Sequence, residues 1–127
     1  MGTYFDNDQF DPLFLRRQAS DEGSSERIKV ENAMAGMLLG LVKNYASHPF
    51  YRKYPISFRE DLVANGMCAV WAKIGKETFN RDEGTNYFSY FTTIAKNAFL
   101  QQLRDYYKYR NRSIPMSVVE HFMTEEG

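Results

Sequence analysis

The sequence predicts an all-α fold: a small domain of three main helices carrying extended N- and C-terminal tails. Three observations predict it. Apolar residues recur at spacings of three and four along three separate stretches. No stretch alternates apolar and polar residues with the two-residue period of a strand. Pro49, Pro55 and Pro115 fall between the periodic stretches, where they delimit helices rather than break them. At 127 residues the chain reads as one domain, large enough for a modest core. The expected division is an acidic, aromatic-containing arm over 1–24, the helical domain over 25–112 and an apolar-acidic tail over 113–127.

Residues 1–24 lack a helical period but hold an aromatic-rich patch of Tyr4, Phe5, Phe10, Leu13, Phe14 and Leu15. Such a segment is either a disordered tail or one that docks on a partner or folds back on the domain. The first main helix starts near Ser24 or Ser25, either of which can cap it, and runs to about Ala46. Ile28, Met34, Met37, Leu38, Leu41, Val42 and Tyr45 form its apolar stripe. Gly36 and Gly40 offer close helix approach, at a cost of ~1 kcal/mol each against Ala. His48-Pro49 ends this helix, and 48–56 is a loop with two prolines and three aromatics.

Ser57-Phe58-Arg59-Glu60 fits a capping box for a second helix running to about Lys76. Val63, Met67, Val70 and Ile74 face the core. The other side carries Asp61, Ala64, Asn65, Cys68 and Trp71. Trp71 beside an acid and an amide suits a protein-binding surface, or serves as a second core contact. Residues 77–86 form a polar turn, with Thr85 or Asn86 capping the third helix.

That third helix, expected over 87–112, has two distinct faces. Phe88, Phe91, Ala95, Ala98, Phe99 and Tyr106 make a core stripe. Tyr90, Thr93, Asn97, Gln101, Arg104 and Lys108 run along the opposite side without a carboxylate. Carboxamides suit base edges, cations suit phosphates, and a Tyr ring can stack on an unpaired base. The row therefore fits a nucleic-acid face, although many amphipathic helices turn such a face only to water. After Ser113-Ile114-Pro115, the segment MSVVEHFMTEEG can add one turn capped by Ser117. It sets Val118, Val119, Phe122 and Met123 among carboxylates, either frayed or docked in a partner's groove.

The charge is balanced, 16 basic against 16 acidic residues, but unevenly spread. Residues 1–26 carry two arginines against six carboxylates, a net of −4. Residues 96–112 carry Lys96, Arg104, Lys108, Arg110 and Arg112 against Asp105, a net of +4. A local basic segment of this kind binds phosphate without a basic isoelectric point. The single cysteine, Cys68, rules out an internal disulfide and fits a reducing cytosol. No apolar run reaches the ~20 residues of a membrane span, and no leader is expected.

Catalytic patterns are absent. There is no phosphate loop, nucleophile elbow or paired-cysteine motif, and His48 and His121 stand far apart in sequence. The expectation is a non-enzyme that needs no cofactor and no metal.

One ordered set of residues is more specific. Asp61-Leu62 and Gly66 on a helix, a turn with Phe79 and Gly84, then Ser89-Tyr90-Phe91-Thr92, Ala95-Lys96-Asn97-Ala98-Phe99 resemble conserved region 2 of the sigma-70 family. The run Asn86 to Leu103 is most similar to the late-transcription sigma factors of T-even-type bacteriophages. The resemblance covers about residues 54–108. It implies a factor that binds bacterial core RNA polymerase and directs it to a −10, TATA-like promoter element in the cytoplasm of a host bacterium. Tyr90 falls where the family has an aromatic that stacks on a flipped adenine. Asn97 falls on a Gln that reads the upstream edge of the element, and Lys96 and Gln101 fall on arginines. Asp61, Asn65, Met67 and Trp71 match contacts to the clamp helices of the β′ subunit, and Cys68 lies on the same face. Thr93 and Ile94 stand where housekeeping members have two adjacent tryptophans, so strand opening is expected to be weaker. No residues resemble the region that reads a −35 element. The implied substitute is a contact to a DNA sliding clamp or phage co-activator through Val118, Val119, Phe122 and Met123. The competing expectations are a small DNA-binding adaptor that acts without polymerase and a transcription-regulating interaction module.

Overall fold

The computed structural model describes residues 5–76 and 86–124 and is all-α. Its helices are α1 (Asn7–Ala19), α2 (Ser25–Ala46), α3 (Ile56–Lys76), α4 (Tyr87–Tyr109) and α5 (Met116–Thr124), with a short 3-10 helix at Pro49–Lys53. Three long helices form the expected frame, with α3 packed against both α2 and α4. Of the polar turn expected over 77–86, residues 77–85, including Phe79 and Gly84, lie outside the described residues.

Two further helices occupy the segments read as tails. The segment 1–24 is helical over Asn7–Ala19 and packs on α2 and α4. Asp6 caps it by accepting the Asp8 N–H at 2.9 Å. Phe5, Phe10 and Phe14 enter the core, Phe10 without any exposure. Phe10 meets Phe5, Tyr87 and Phe91 at ring-centroid distances of 5.1, 5.0 and 5.6 Å. The side that packs is therefore aromatic, and burying such rings is worth several kcal/mol in total. Arg17 pairs with Glu31 at 2.7 Å, fixing α1 to α2. The more exposed Arg16–Glu26 pair, at 2.6 Å, adds little.

On α2, Ser24 accepts the Arg27 N–H at 3.1 Å as the expected cap. The buried residues are Val30, Met34, Leu38, Leu41, Val42 and Ala46. Ile28, expected in this stripe, is exposed, because the buried line begins at Val30 in the second turn. The glycine that allows close approach is Gly66 on α3 rather than Gly36. A Cβ on Gly36 would meet nothing within 4 Å, whereas one on Gly66 would sit 2.9 Å from Val42 Cγ1 and 3.0 Å from Phe99 Cε1. Gly66 is where three helices come together.

Residues 48–56 are not a plain loop. His48 Nδ1 accepts the Phe50 N–H at 3.0 Å and starts the 3-10 helix. Tyr51 and Tyr54 are buried there. Helix α3 then begins at Ile56, with the Arg59 N–H bonded to the Pro55 carbonyl. Ser57 thus lies inside the first turn and does not cap it, because Pro55 already supplies both the stop and the first acceptor. Leu62, Gly66, Val70 and Ile74 form the buried line; Val63 and Met67 flank it half-buried.

The Tyr54 hydroxyl shares a 2.7 Å hydrogen bond with the Tyr107 hydroxyl, tying the start of α3 to α4. Burial, and then this hydrogen bond, hold the Tyr54 phenol well above its ordinary range of ionisation. A raised phenol pKa makes its stabilisation complete below about pH 10, where the unfolded phenol ionises. Above that pH the unfolded chain loses a proton the native state keeps, so stability falls by up to ~1.4 kcal/mol per pH unit. Urea denaturation at stepwise higher pH is expected to show this fall, and Tyr54→Phe to flatten it.

Candidate nucleic-acid interface

Helix α4 is fixed at both ends, and this presents its outer face. Asn86 caps it, accepting the Ser89 N–H at 3.1 Å. From α1, the Asn7 Oδ1 accepts the Phe88 N–H at 2.9 Å. The Tyr87 hydroxyl donates to the Asp11 carboxylate. Two side chains of α1 thus secure the first turn of α4. Neither Asn7 nor Asp11 was singled out in the sequence, where α1 itself had no periodic signal.

The buried line of α4 is Tyr87, Phe91, Ala95, Phe99 and Leu103. Phe88, Ala98 and Tyr106, expected in the core, sit half-buried at its margin. A four-residue step advances by 40° per turn beyond a full circle, so the buried line winds round the helix. The face opposite remains open. Thr93, Asn97, Gln101, Arg104 and Lys108 are exposed, and Tyr90 and Lys96 are half-buried. The Tyr90 ring stands edge-on to Phe91, centroids 5.2 Å apart. The expected row is therefore brought together on one side of one helix. Asp105 lies next to it and accepts from Gln101 Nε2 at 3.2 Å, which leaves the Gln101 carbonyl and one amide hydrogen for a ligand.

At its C-terminal end the helix stops at Tyr109, earlier than the expected Arg112. Asn111 adopts φ 56°, the left-handed conformation that asparagine tolerates. The Arg112 N–H bonds to the Tyr107 carbonyl and the Asn111 N–H to the Lys108 carbonyl, both at 3.0 Å. This pair of bonds is a Schellman closure with Asn111 at its left-handed position. It separates the two last cations. Arg112 turns to line an open depression of about 640 Å³ with Arg104, Lys108, Asn111, Ser113 and Ile114. Arg110, placed in the sequence among the phosphate contacts, instead lies over the Tyr106 ring at 3.9 Å, a cation–π seat on the protein itself. Tyr109 projects almost wholly into solvent, 89% exposed. An asparagine just after the last periodic residue is the signal by which this turn is legible.

On α3, Asp61, Asn65 and Cys68 are exposed on one side, with Met67 and Trp71 half-buried at its edge and packed against the core. Trp71 is thus both a core contact and a partly open ring. Asn65 Nδ2 donates to Gln102 Oε1, which joins this face to α4. Cys68 is a free, exposed thiol.

The tail residues 118, 119, 122 and 123 do not form one exposed patch. Val118 and Phe122 are buried, while Val119 and Met123 are exposed. The reason is a seat for α5 on the 3-10 helix. The His121 ring stacks on Phe50 at 4.0 Å with planes 1° apart. Its Nε2 lies 3.3 Å from the Tyr51 hydroxyl. His48 and His121, distant in sequence, come together at 4.9 Å between ring centroids. Among the described residues, no group of three or more His, Cys, Asp or Glu is arranged to hold a metal ion. No described helix is long and apolar enough to cross a membrane.

Searches against protein-family models, curated proteins and solved structures returned no match for this chain.

Proposed function

We propose that the chain is a promoter-specificity subunit of the phage late sigma type, which binds bacterial core RNA polymerase and directs it to a −10 element. The observation that carries this reading is the open face of α4: an aromatic, two carboxamides and two cations in line, on a helix secured at both ends. The roles follow the chemistry of the side chains. Asn97 and Gln101 pair with adenine N6 and N7, each good bidentate pair giving ~1–3 kcal/mol of discrimination. Tyr90 holds an unstacked base, aided by the ease of opening TA steps. Arg104, Lys108 and Arg112 neutralise phosphates without reading sequence. Thr93 and Lys96 border the same track.

Asp61, Asn65, Cys68 and the open edges of Met67 and Trp71 form the docking surface for the polymerase clamp helices. The Asn65–Gln102 hydrogen bond gives docking a direct mechanical link to the DNA-facing helix. Polymerase supplies the chemistry of RNA synthesis, and this chain supplies position. A sliding clamp or co-activator would meet the outward side of α5, Met116, Val119 and Met123, because Val118 and Phe122 hold that helix in place.

The test is co-purification with bacterial core polymerase, then run-off transcription from a supercoiled template bearing a TATA-like −10 element and no −35 element. Asp61→Arg is the informative variant, since Asp61 is exposed and its replacement leaves the core untouched. It is expected to weaken the polymerase complex by at least about tenfold, the effect of ~1.4 kcal/mol at a charged interface. A wild-type chain that never binds core polymerase sinks this reading and favours a free DNA-binding adaptor.

A further inference from the structure

We infer that His48 and His121 form a proton-operated latch, which holds α5 on the 3-10 helix and releases it when either ring gains a proton. The inference concerns α5 and stands whether or not α4 reads DNA. Three observations meet at the latch. The two rings, distant in sequence, lie with centroids 4.9 Å apart. His121 is buried, stacked on Phe50 at 4.0 Å and edge-on to Tyr51 at 5.4 Å. His48 caps the 3-10 helix that carries both of those rings, with its Nδ1 accepting the Phe50 N–H at 3.0 Å.

Both contacts belong to neutral imidazole. A protonated Nδ1 is a donor and cannot accept the Phe50 N–H, so a proton on His48 removes the cap of the helix that seats α5. A proton on His121 puts a charge into an aromatic pocket, where desolvation opposes it. A cation on a phenyl face is ordinarily favourable, but the Lys53 amine already lies over the Phe50 ring at 4.7 Å, and two like charges at one ring repel. The other charged neighbours are Arg52 on the 3-10 helix, Lys43 on the last turn of α2 and Glu120 beside His121 on α5. The phenols of Tyr45 and Tyr51 bring no charge near neutral pH. Glu120 favours a proton on the rings, as does the C-terminal dipole of α2 beside His48. Glu120 and His48 are exposed, so solvent and salt screen both effects, whereas the lost cap and the buried charge are not screened. Helix α5 has nine residues and is too short to hold itself. Without its seat it frays, and Val118 and Phe122 enter solvent with Val119 and Met123. The released chain takes up protons that the docked chain does not. Docking is therefore complete above the ordinary imidazole range, about pH 6.5, and weakens as pH falls through it.

The test is amide hydrogen exchange of the full chain, followed by NMR at pH 7.5 and 5.5, with each rate taken relative to that of an unstructured chain at the same pH. The Phe122 amide should be less protected than the Met34 amide of α2, because α5 opens without the core. Its protection should fall by at least about tenfold between the two pH values, the effect of one imidazole kept neutral in the docked state. His48→Asn keeps a capping acceptor without a titrating group, and His121→Phe keeps a ring on Phe50. The double variant should protect the Phe122 amide equally at both pH values. If His121→Phe does not fold, His48→Asn alone should still lessen the fall. Wild-type protection at Phe122 that is the same at both pH values overturns the latch. Equal protection of Phe122 and Met34 also overturns it, since α5 would then open only with the whole domain. A double variant, or a His48→Asn variant, as pH-sensitive as the wild type assigns the proton to another group and overturns it as well.

Discussion

Phe10→Ala is expected to lower the free energy of unfolding by about 3–5 kcal/mol, the usual cost of emptying a fully buried aromatic site. The ring has no exposure and touches Phe5, Tyr87 and Phe91. Small domains are stable by only ~5–15 kcal/mol, so this single change removes a large part of the total. It also acts on the interface. Loosening α1 frees Asn7 and Asp11 from the first turn of α4, so the variant should lose order around Tyr87 and Phe88 before it unfolds. Urea denaturation followed by far-UV circular dichroism measures the first effect, and amide hydrogen exchange the second. Leu15→Ala, on the same helix but 41% exposed, is the comparison and should stay within ~0.5 kcal/mol. If Phe10→Ala were equally mild, α1 would be an ornament rather than part of the cooperative core.

The contrast between buried Phe10 and exposed Leu15 on one helix also bears on what was legible in the sequence. Helices α2, α3 and α4 each bury four or more residues at regular spacing, so their period stands out; Ser24 and Asn86 cap α2 and α4 as expected, whereas α3 starts from Pro55 rather than the expected Ser57 cap. Helix α1 buries only Phe10 and Phe14 within its own length. Leu13 packs half-buried beside them, but Leu15 lies on the outer side, and Pro12 inside the helix reads as a breaker. What holds α1 is tertiary: rings from α4 and ion pairs to α2, none of them visible in a local window. The same holds for α5, whose buried Val118 and Phe122 depend on a seat formed by Phe50 and Tyr51 some seventy residues earlier. Gly66 shows the reverse error, since glycine spacing drew attention to Gly36, which is open, while Gly66 on the neighbouring helix is crowded. The open row of α4 was legible because exposure and helical phase are set locally. The convergence of Arg104, Lys108 and Arg112 was not, because it depends on one left-handed residue after the helix.

The double variant Tyr90→Ala, Asn97→Ala separates a DNA-reading face from one that only meets water. In the proposed role it should cost about 2–6 kcal/mol of −10-directed initiation, the sum of one stacked base and one bidentate base contact. At the lower end this is roughly a thirtyfold loss of specific transcripts from the −10 template. The protein itself should remain folded. Asn97 is exposed, and Tyr90 is half-buried at the margin of the core, where its edge contact to Phe91 is worth ~0.5–1.5 kcal/mol. Polymerase co-purification should also be kept, because the docking residues lie on α3. Tyr90→Phe retains the ring and should retain initiation if stacking is the role of that residue. Three outcomes then discriminate. Loss of specific transcripts with intact polymerase binding assigns the face to DNA. Loss of both places α4 in the docking surface instead. A silent double variant returns the row to solvent, and with it the charge pattern of α4 needs only hydration and the helix dipole to account for it.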